Sequence, residues 1–219
     1  MKYRAAIFDF DGTLLDTLDD LADSMNMVLE ESGMPAHPPD PYRFFVGDGM
    51  ANLARRAASR PVDDETAARM AARMGEIYKD RWSLKTRPYD GVVPMLEELR
   101  ARGLRLGILS NKPDSFTKLM AKHYFGDDIF QAVFGARDEV PRKPDPAGAL
   151  EIARMFAVPP AEFLYFGDTN TDMLTGRAAG MRTIGVSWGF RPVAELLDAG
   201  AEAIIDSPGQ ALDLLFKML

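Results

Sequence analysis

The chain has 219 residues, 47% hydrophobic and 27% charged, an ordinary balance for a globular protein that can bury a sizeable core as one large domain or two small ones. It has no cysteine, which excludes a disulfide framework, a thiolate nucleophile and any Cys-ligated zinc or iron-sulfur site, and fits a reducing cytoplasmic setting. The formal net charge of −7 opposes binding to nucleic acid, which wants a basic surface, so an anionic small substrate needs a locally positive pocket.

The first predicted element is a short strand over residues 5–8, whose unbroken Ala-Ala-Ile-Phe reads as a strand covered on both faces. Asp9 and Asp11 follow at once, and Gly12 ends the run. Strand side chains alternate faces, so the two acids nominally point the same way, at the carboxyl end where open α/β sheets place their ligands. They also interrupt the only early apolar stretch, so no signal peptide is expected, and no later run approaches the roughly 20 apolar residues of a membrane span.

Roughly a hundred residues separate this strand from the next, although a crossover needs only about a dozen, which predicts an inserted domain. The insertion reads as helical: Leu18, Leu21, Met25 and Val28 recur at helix spacing, as do Ala67, Met70, Met74 and Ile77. Between them the proline-rich residues 35–41 form a rigid inter-helix loop. Residues 14–17 and 85–90 connect the insertion to the body as a possible hinge, which makes the insertion a candidate lid.

After the insertion, strands are expected over residues 104–110, 132–136, 162–166, 182–186 and 203–205, with helices over 92–102, 113–124, 146–156, 171–179 and 210–218. Gly103 and Gly180 stop two of the helices. This alternation predicts an α/β core with a parallel sheet over residues 1–15 and 87–219, and an α-helical insertion over 16–86.

Polar groups recur where these strands end: Ser110-Asn111-Lys112, then Arg142-Lys143-Pro144, then Gly167-Asp168-Thr169-Asn170-Thr171-Asp172. Taken singly, Ser110 and Asp168 could be helix caps and Lys143 a solvated loop lysine. Their joint placement along one sheet edge points instead to a site. Asp9, Asp11, Asp168 and Asp172 packed together would repel one another unless a cation joined them, and an all-oxygen donor set without His or Cys suits Mg2+. His37 and His123 are not spaced as a ligand pair and receive no role. Of the 13 methionines and 13 phenylalanines, those at helical spacing are read as core, and Trp188, after a strand, as either packing or the rim of the site.

Asp-Phe-Asp-Gly-Thr, Ser-Asn-Lys, Lys-Pro and Gly-Asp-x-x-x-Asp, in this order across nearly the whole chain, resemble the four motifs of the haloacid dehalogenase superfamily. The match is closest to its phosphoglycolate phosphatase-like subgroup. The resemblance implies a Rossmann-like core with a C1 helical cap, and a Mg2+-dependent phosphatase of small phosphorylated metabolites, with 2-phosphoglycolate foremost. Asp9 would be the nucleophile that becomes an aspartyl-phosphate, and Asp11 the general acid and base. The metal would be held by the Asp9 side chain, the Asp11 backbone carbonyl and Asp168, with Asp172 orienting that group or a bound water. Ser110 and Lys143 would meet the phosphoryl group. Asn111 and Lys112 belong to the expected substrate-binding set, Lys112 as a partner for a substrate carboxylate. Within residues 43–49, Arg43, Gly47 and Gly49 resemble the subgroup's specificity loop, although a plain turn with Asp48 capping a helix explains the same residues.

Two other readings remain open at this stage: a pyrophosphatase or phosphosugar phosphatase or mutase on the same scaffold, and a phospho-acceptor signalling module without turnover. The second expects its acceptor Asp after a middle strand in a chain about half this length. The sequence leaves the oligomeric state undetermined.

Overall fold

The computed structural model describes residues 2–215. In chain order the elements are β1 (Ala5–Phe8), β2 (Leu15–Asp16), α1 (Leu18–Glu31), α2 (Tyr42–Phe45), α3 (Met50–Ala57), α4 (Asp64–Tyr78), β3 (Arg87–Pro88), α5 (Val92–Ala101), β4 (Arg105–Pro113), α6 (Asp114–Phe125), β5 (Ala132–Ala136), α7 (Ala147–Phe156), β6 (Phe163–Gly167), α8 (Asn170–Ala178), β7 (Arg182–Val186), α9 (Val193–Asp198) and β8 (Ala203–Ile205). The chain divides into two compact units, Met1–Leu14 with Pro88–Leu219, and Leu15–Arg87. Leu15 and Arg87 therefore fall one residue outside the expected insertion, because both are drawn into the two-stranded β2–β3 pairing.

The first unit is built on a six-stranded sheet in the order β5-β4-β1-β6-β7-β8, with every neighbouring pair parallel. β1 is central: Ile7 aligns with Gly107 of β4 on one side and Tyr165 of β6 on the other. All four β1 residues are buried, which explains why they are apolar without alternation. One face of the sheet packs Ile7, Phe163 and Tyr165 against Ala149, Ile152, Ala153 and Phe156, the inward stripe of α7. On β1 and β6, Phe8 and Phe166 stack at 4.7 Å between ring centroids. Fully buried side chains of this size contribute about 1.5–3 kcal/mol each, and their summed burial offsets the polar groups concentrated at the sheet's carboxyl edge.

Two expectations fail locally. β4 runs on through Pro113 rather than ending at Ser110, so Ser110, Asn111 and Lys112 lie within the strand, beside a register shift against β5 between Leu109 and Pro113. The helix expected over residues 210–218 is replaced, as far as the structure describes it, by 3-10 turns at Pro208–Ala211 and Asp213–Leu215; residues 216–219 lie outside the described part. Pro208 and Gly209 start this segment, and only Pro208, Ala211 and Leu215 are buried, too narrow an apolar stripe to hold a longer helix.

The second unit packs α1, α3 and α4, with Met25, Leu29, Ala54, Ala67 and Met74 among its buried side chains. Asp20, buried in the first turn of α1, accepts hydrogen bonds from the Lys85 and Thr86 amides and from Thr86 Oγ1, the last two at 2.8 Å. Satisfying a buried carboxylate with three donors ties the end of this unit to its beginning.

Candidate active site

The carboxyl ends of β1, β4 and β6, with the connection after β5, bring the expected polar residues of the first unit to one place. Lys143 Nζ lies 2.7 Å from Asp9 Oδ1 and 2.7 Å from Asp172 Oδ1, and its side chain is only 3% exposed. Asp9, Asp168 and Asp172 each offer a carboxylate oxygen within 4.8 Å of the others, and all three are buried. Asp11 stands apart from this trio: its carboxylate receives Lys112 Nζ at 3.1 and 3.3 Å. β1 ends at Phe8, so the two acids of the first motif lie beyond regular strand alternation and meet two different lysines instead of pointing the same way.

Each member of the trio is held by its own local device. Asp168 Oδ1 accepts from Thr13 Oγ1 at 2.9 Å, and its Oδ2 from the Phe190 amide at 2.8 Å. Asp172 closes a capping box on α8: its Oδ2 accepts from Thr169 Oγ1 and the Thr169 amide, while Thr169, not Asp168, is the N-cap. Asn111 grips the Lys143 backbone from both directions, its Nδ2 donating to the carbonyl at 3.1 Å and its Oδ1 accepting from the amide at 3.0 Å. This doubled contact gives Asn111 a positioning role. Ser110 Oγ accepts from the Lys112 amide at 3.2 Å, and the helix after β4 is capped by Pro113 rather than Ser110.

Glycine is required where backbone must pass close to these acids. Gly12 has φ +84, and a Cβ there would overlap the Asp168 carboxylate; a Cβ on Gly189 would overlap Asp168 Cβ and the Gly12 carbonyl. Trp188, just before Gly189, donates from Nε1 to the Thr13 carbonyl at 3.0 Å, so it fastens the loop that carries Asp168's partner.

The electrostatics carry a deficit of positive charge. Three buried carboxylates face one ammonium, so full ionisation of the trio would leave two negative charges uncompensated. Burial, then the neighbouring Asp172, pushes Asp168 up to about 7 despite its two hydrogen-bond donors. Asp9 is raised well above the ordinary carboxylate range by burial and by Asp172, against the pull of Lys143. Burial alone would lower the Lys143 pKa, but Asp172 and Asp9 hold it well above that of an ordinary lysine. An oxygen-only cluster short of two positive charges fits a hard divalent cation, and the Mg2+ expected from the motifs matches it.

A pH dependence follows. With divalent ions chelated, Asp168 titrates higher when folded than when unfolded, so its contribution to stability is full below the ordinary carboxylate range and is lost as pH rises through about 7. Urea unfolding in chelator is expected to show a falling midpoint between pH 5 and 8, and either added Mg2+ or Asp168→Asn should flatten it. A midpoint independent of pH in all three samples would show that the trio is already neutralised.

The model of the haloacid dehalogenase-like hydrolases matches residues 6–186. The chain belongs to that family. This hydrolase is 34% identical to a phosphoglycolate phosphatase from Thiobacillus denitrificans and 32% identical to one from Psychrobacter arcticus, each alignment covering 99% of this chain and 97% of the relative. A crystal structure of a hydrolase from Pseudomonas syringae superposes with a TM-score of 0.79 at 26% identity, covering 98% of this chain and 99% of that one. A structure from Haemophilus somnus 129PT shares the fold with a TM-score of 0.91 at 24% identity over 98% of this chain and 99% of that one.

Arg43, Gly47 and Gly49 belong to the second unit. There Arg43 Nε lies 3.4 Å from Asp40, Gly47 and Gly49 have positive φ, and Gly49 rather than Asp48 is the N-cap of α3. Asp48 instead pairs with Arg56. Thr13, Thr169 and the Phe190 amide are contributors that sequence reasoning did not assign. Thr13 stood inside the quoted first motif, where a hydroxyl next to the acids was an available signal; the Phe190 amide had none, since any non-proline residue carries that donor. Among the described residues no helix is long and apolar enough to cross a membrane.

Proposed function

We propose that this hydrolase is a Mg2+-dependent phosphomonoesterase that works through an aspartyl-phosphate at Asp9, with 2-phosphoglycolate as its leading substrate. The observation that carries the reading is the uncompensated trio Asp9, Asp168 and Asp172 around Lys143. Relatives named phosphoglycolate phosphatase, aligned over nearly their whole length at more than 30% identity, support the substrate.

In the first half-reaction an Asp9 oxygen bonds to phosphorus as the bond from phosphorus to the ester oxygen breaks, and protonated Asp11 gives its proton to the departing alkoxide. In the second, water bonds to the same phosphorus, Asp11 takes the water's proton, and the bond from phosphorus to the Asp9 oxygen breaks to release inorganic phosphate. Lys143 stays charged throughout and offers its ammonium to the nucleophile and to the phosphoryl oxygens that crowd it. Ser110, buried within β4, supplies a neutral hydroxyl donor beside them. Asp9 and Asp168, with the Asp11 backbone carbonyl, would hold Mg2+, which supplies the positive charge that lets a carboxylate approach a phosphate dianion.

Acid quenching during turnover of 2-phosphoglycolate, followed by peptide mass spectrometry, is expected to find phosphate on Asp9. Asp11→Asn should accumulate that adduct while steady turnover falls by about 10²- to 10⁴-fold. Overall inversion at a chiral phosphorus, in place of the retention that two successive in-line displacements give, would rule out the covalent route.

A further inference from the structure

The pair formed by Lys112 and Asp11 is not explained by the chemistry above. Asp11 has to reach the ester oxygen, yet its carboxylate is engaged by Lys112 Nζ through both oxygens, at 3.1 and 3.3 Å. The pair is shielded, with the Lys112 side chain 3% and the Asp11 side chain 13% exposed. The Lys112 backbone is fixed on both sides: its amide donates to Ser110 Oγ at 3.2 Å, and its carbonyl accepts from Thr117 Oγ1 at 3.3 Å. Any rearrangement of this residue is therefore left to its side chain. A buried ammonium resists losing a counter-charge unless another anion replaces it. Lys143 is committed between two carboxylates of its own, whereas the Asp11 carboxylate can be exchanged for a second anion on Lys112.

We propose that Lys112 is a specificity latch: without substrate it holds the Asp11 carboxylate, and a substrate with a carboxylate beside its phosphate ester takes Lys112 over, freeing Asp11 to take up a proton from solvent and deliver it to the ester oxygen. One ion pair breaks and one forms, so the exchange conserves the charge around the ammonium. A phosphate ester lacking the second anion leaves the latch closed. Selection then acts on turnover as well as binding, because the substrate's non-reacting end assembles the acid–base group. This rests on the reading of Asp11 as acid and base given above.

The test divides the substrate into pieces. Methyl phosphate carries the ester and formate the missing carboxylate, together matching 2-phosphoglycolate cut at its carbon–carbon bond. With the Mg2+-loaded wild-type protein, tens of millimolar formate should raise kcat/KM for methyl phosphate several-fold, whereas equimolar chloride should not. In Lys112→Met, kcat/KM for 2-phosphoglycolate should fall by about 10- to 100-fold and that for methyl phosphate should rise above wild type, with no response to formate. Lys112→Gln and a urea midpoint for each variant separate this pattern from misfolding, and the formate experiment needs no variant.

A fall for both substrates, or a fall for 2-phosphoglycolate with methyl phosphate unmoved, overturns the latch, as does the absence of formate activation in wild type. If the wild-type protein hydrolyses neither ester, the phosphatase reading itself has failed. A protein that turns over both without the predicted crossover loses only the latch.

Discussion

Asp9→Asn is expected to reduce hydrolysis of any phosphate ester by about 10⁴-fold or more while leaving a folded protein, because the change removes the proposed nucleophile and preserves its shape. The structure also gives the direction of the stability change. Asp9 sits beside Asp172 and Asp168 with its pKa raised well above the ordinary range by burial and by those neighbours, so its charged form is less stable in the metal-free fold than in water. Asn removes that repulsion but weakens the contact to Lys143, at 2.7 Å from Asp9 in the native protein. The urea midpoint in chelator should therefore stay near the wild-type value or rise at pH 8. An inactive variant with a collapsed midpoint would mean that Asp9 is structural; a fully active one would exclude it as the nucleophile.

Lys143→Met is expected to have the largest effect on stability. It removes the ammonium between Asp9 and Asp172 and leaves both acids, with Asp168, buried without a protein counter-charge. Breaking a buried pair from one side costs about 3–5 kcal/mol, which in a protein of this size lowers Tm by roughly 10 °C. The loss should be largest in chelator above pH 7, where protonation can least relieve the buried carboxylates, and smaller with saturating Mg2+, which binds the folded state and supplies the missing charge. Adding Asp172→Asn should recover part of the stability without restoring activity, because it relieves the repulsion and returns no cation to the phosphate. Calorimetry of the single and double variants, with and without metal, checks each arm; a Lys143→Met protein as stable as wild type in chelator would contradict the charge deficit.

Together these results would separate two roles that the cluster combines. Asp9 is expected to matter for chemistry and little for folding. Lys143 matters for both, since one ammonium serves two acids and is itself held in place by Asn111.

Much of this arrangement was legible from local pattern. The unbroken apolar run before Asp9, helix spacing in the insertion and polar groups at strand ends led to a parallel α/β core with an inserted helical unit, because burial and periodicity are written into neighbouring residues. Where local signals competed, the outcome depended on neighbours far along the chain. Ser110 and Lys112 stayed in β4 because β5 provides an edge for irregular pairing, and residues 210–215 formed 3-10 turns with few buried apolar contacts.

What the sequence by itself determined is the chemical inventory and its order: which acids, lysines and hydroxyls stand beside which strand. Only the tertiary structure decided the partners, sending Asp9 to Lys143, Asp11 to Lys112 and Thr13 to Asp168, the last two across 101 and 155 positions. The physical reason is that strand order and register choose which ends meet, and an ion pair depends on distance in space, which separation along the chain does not encode.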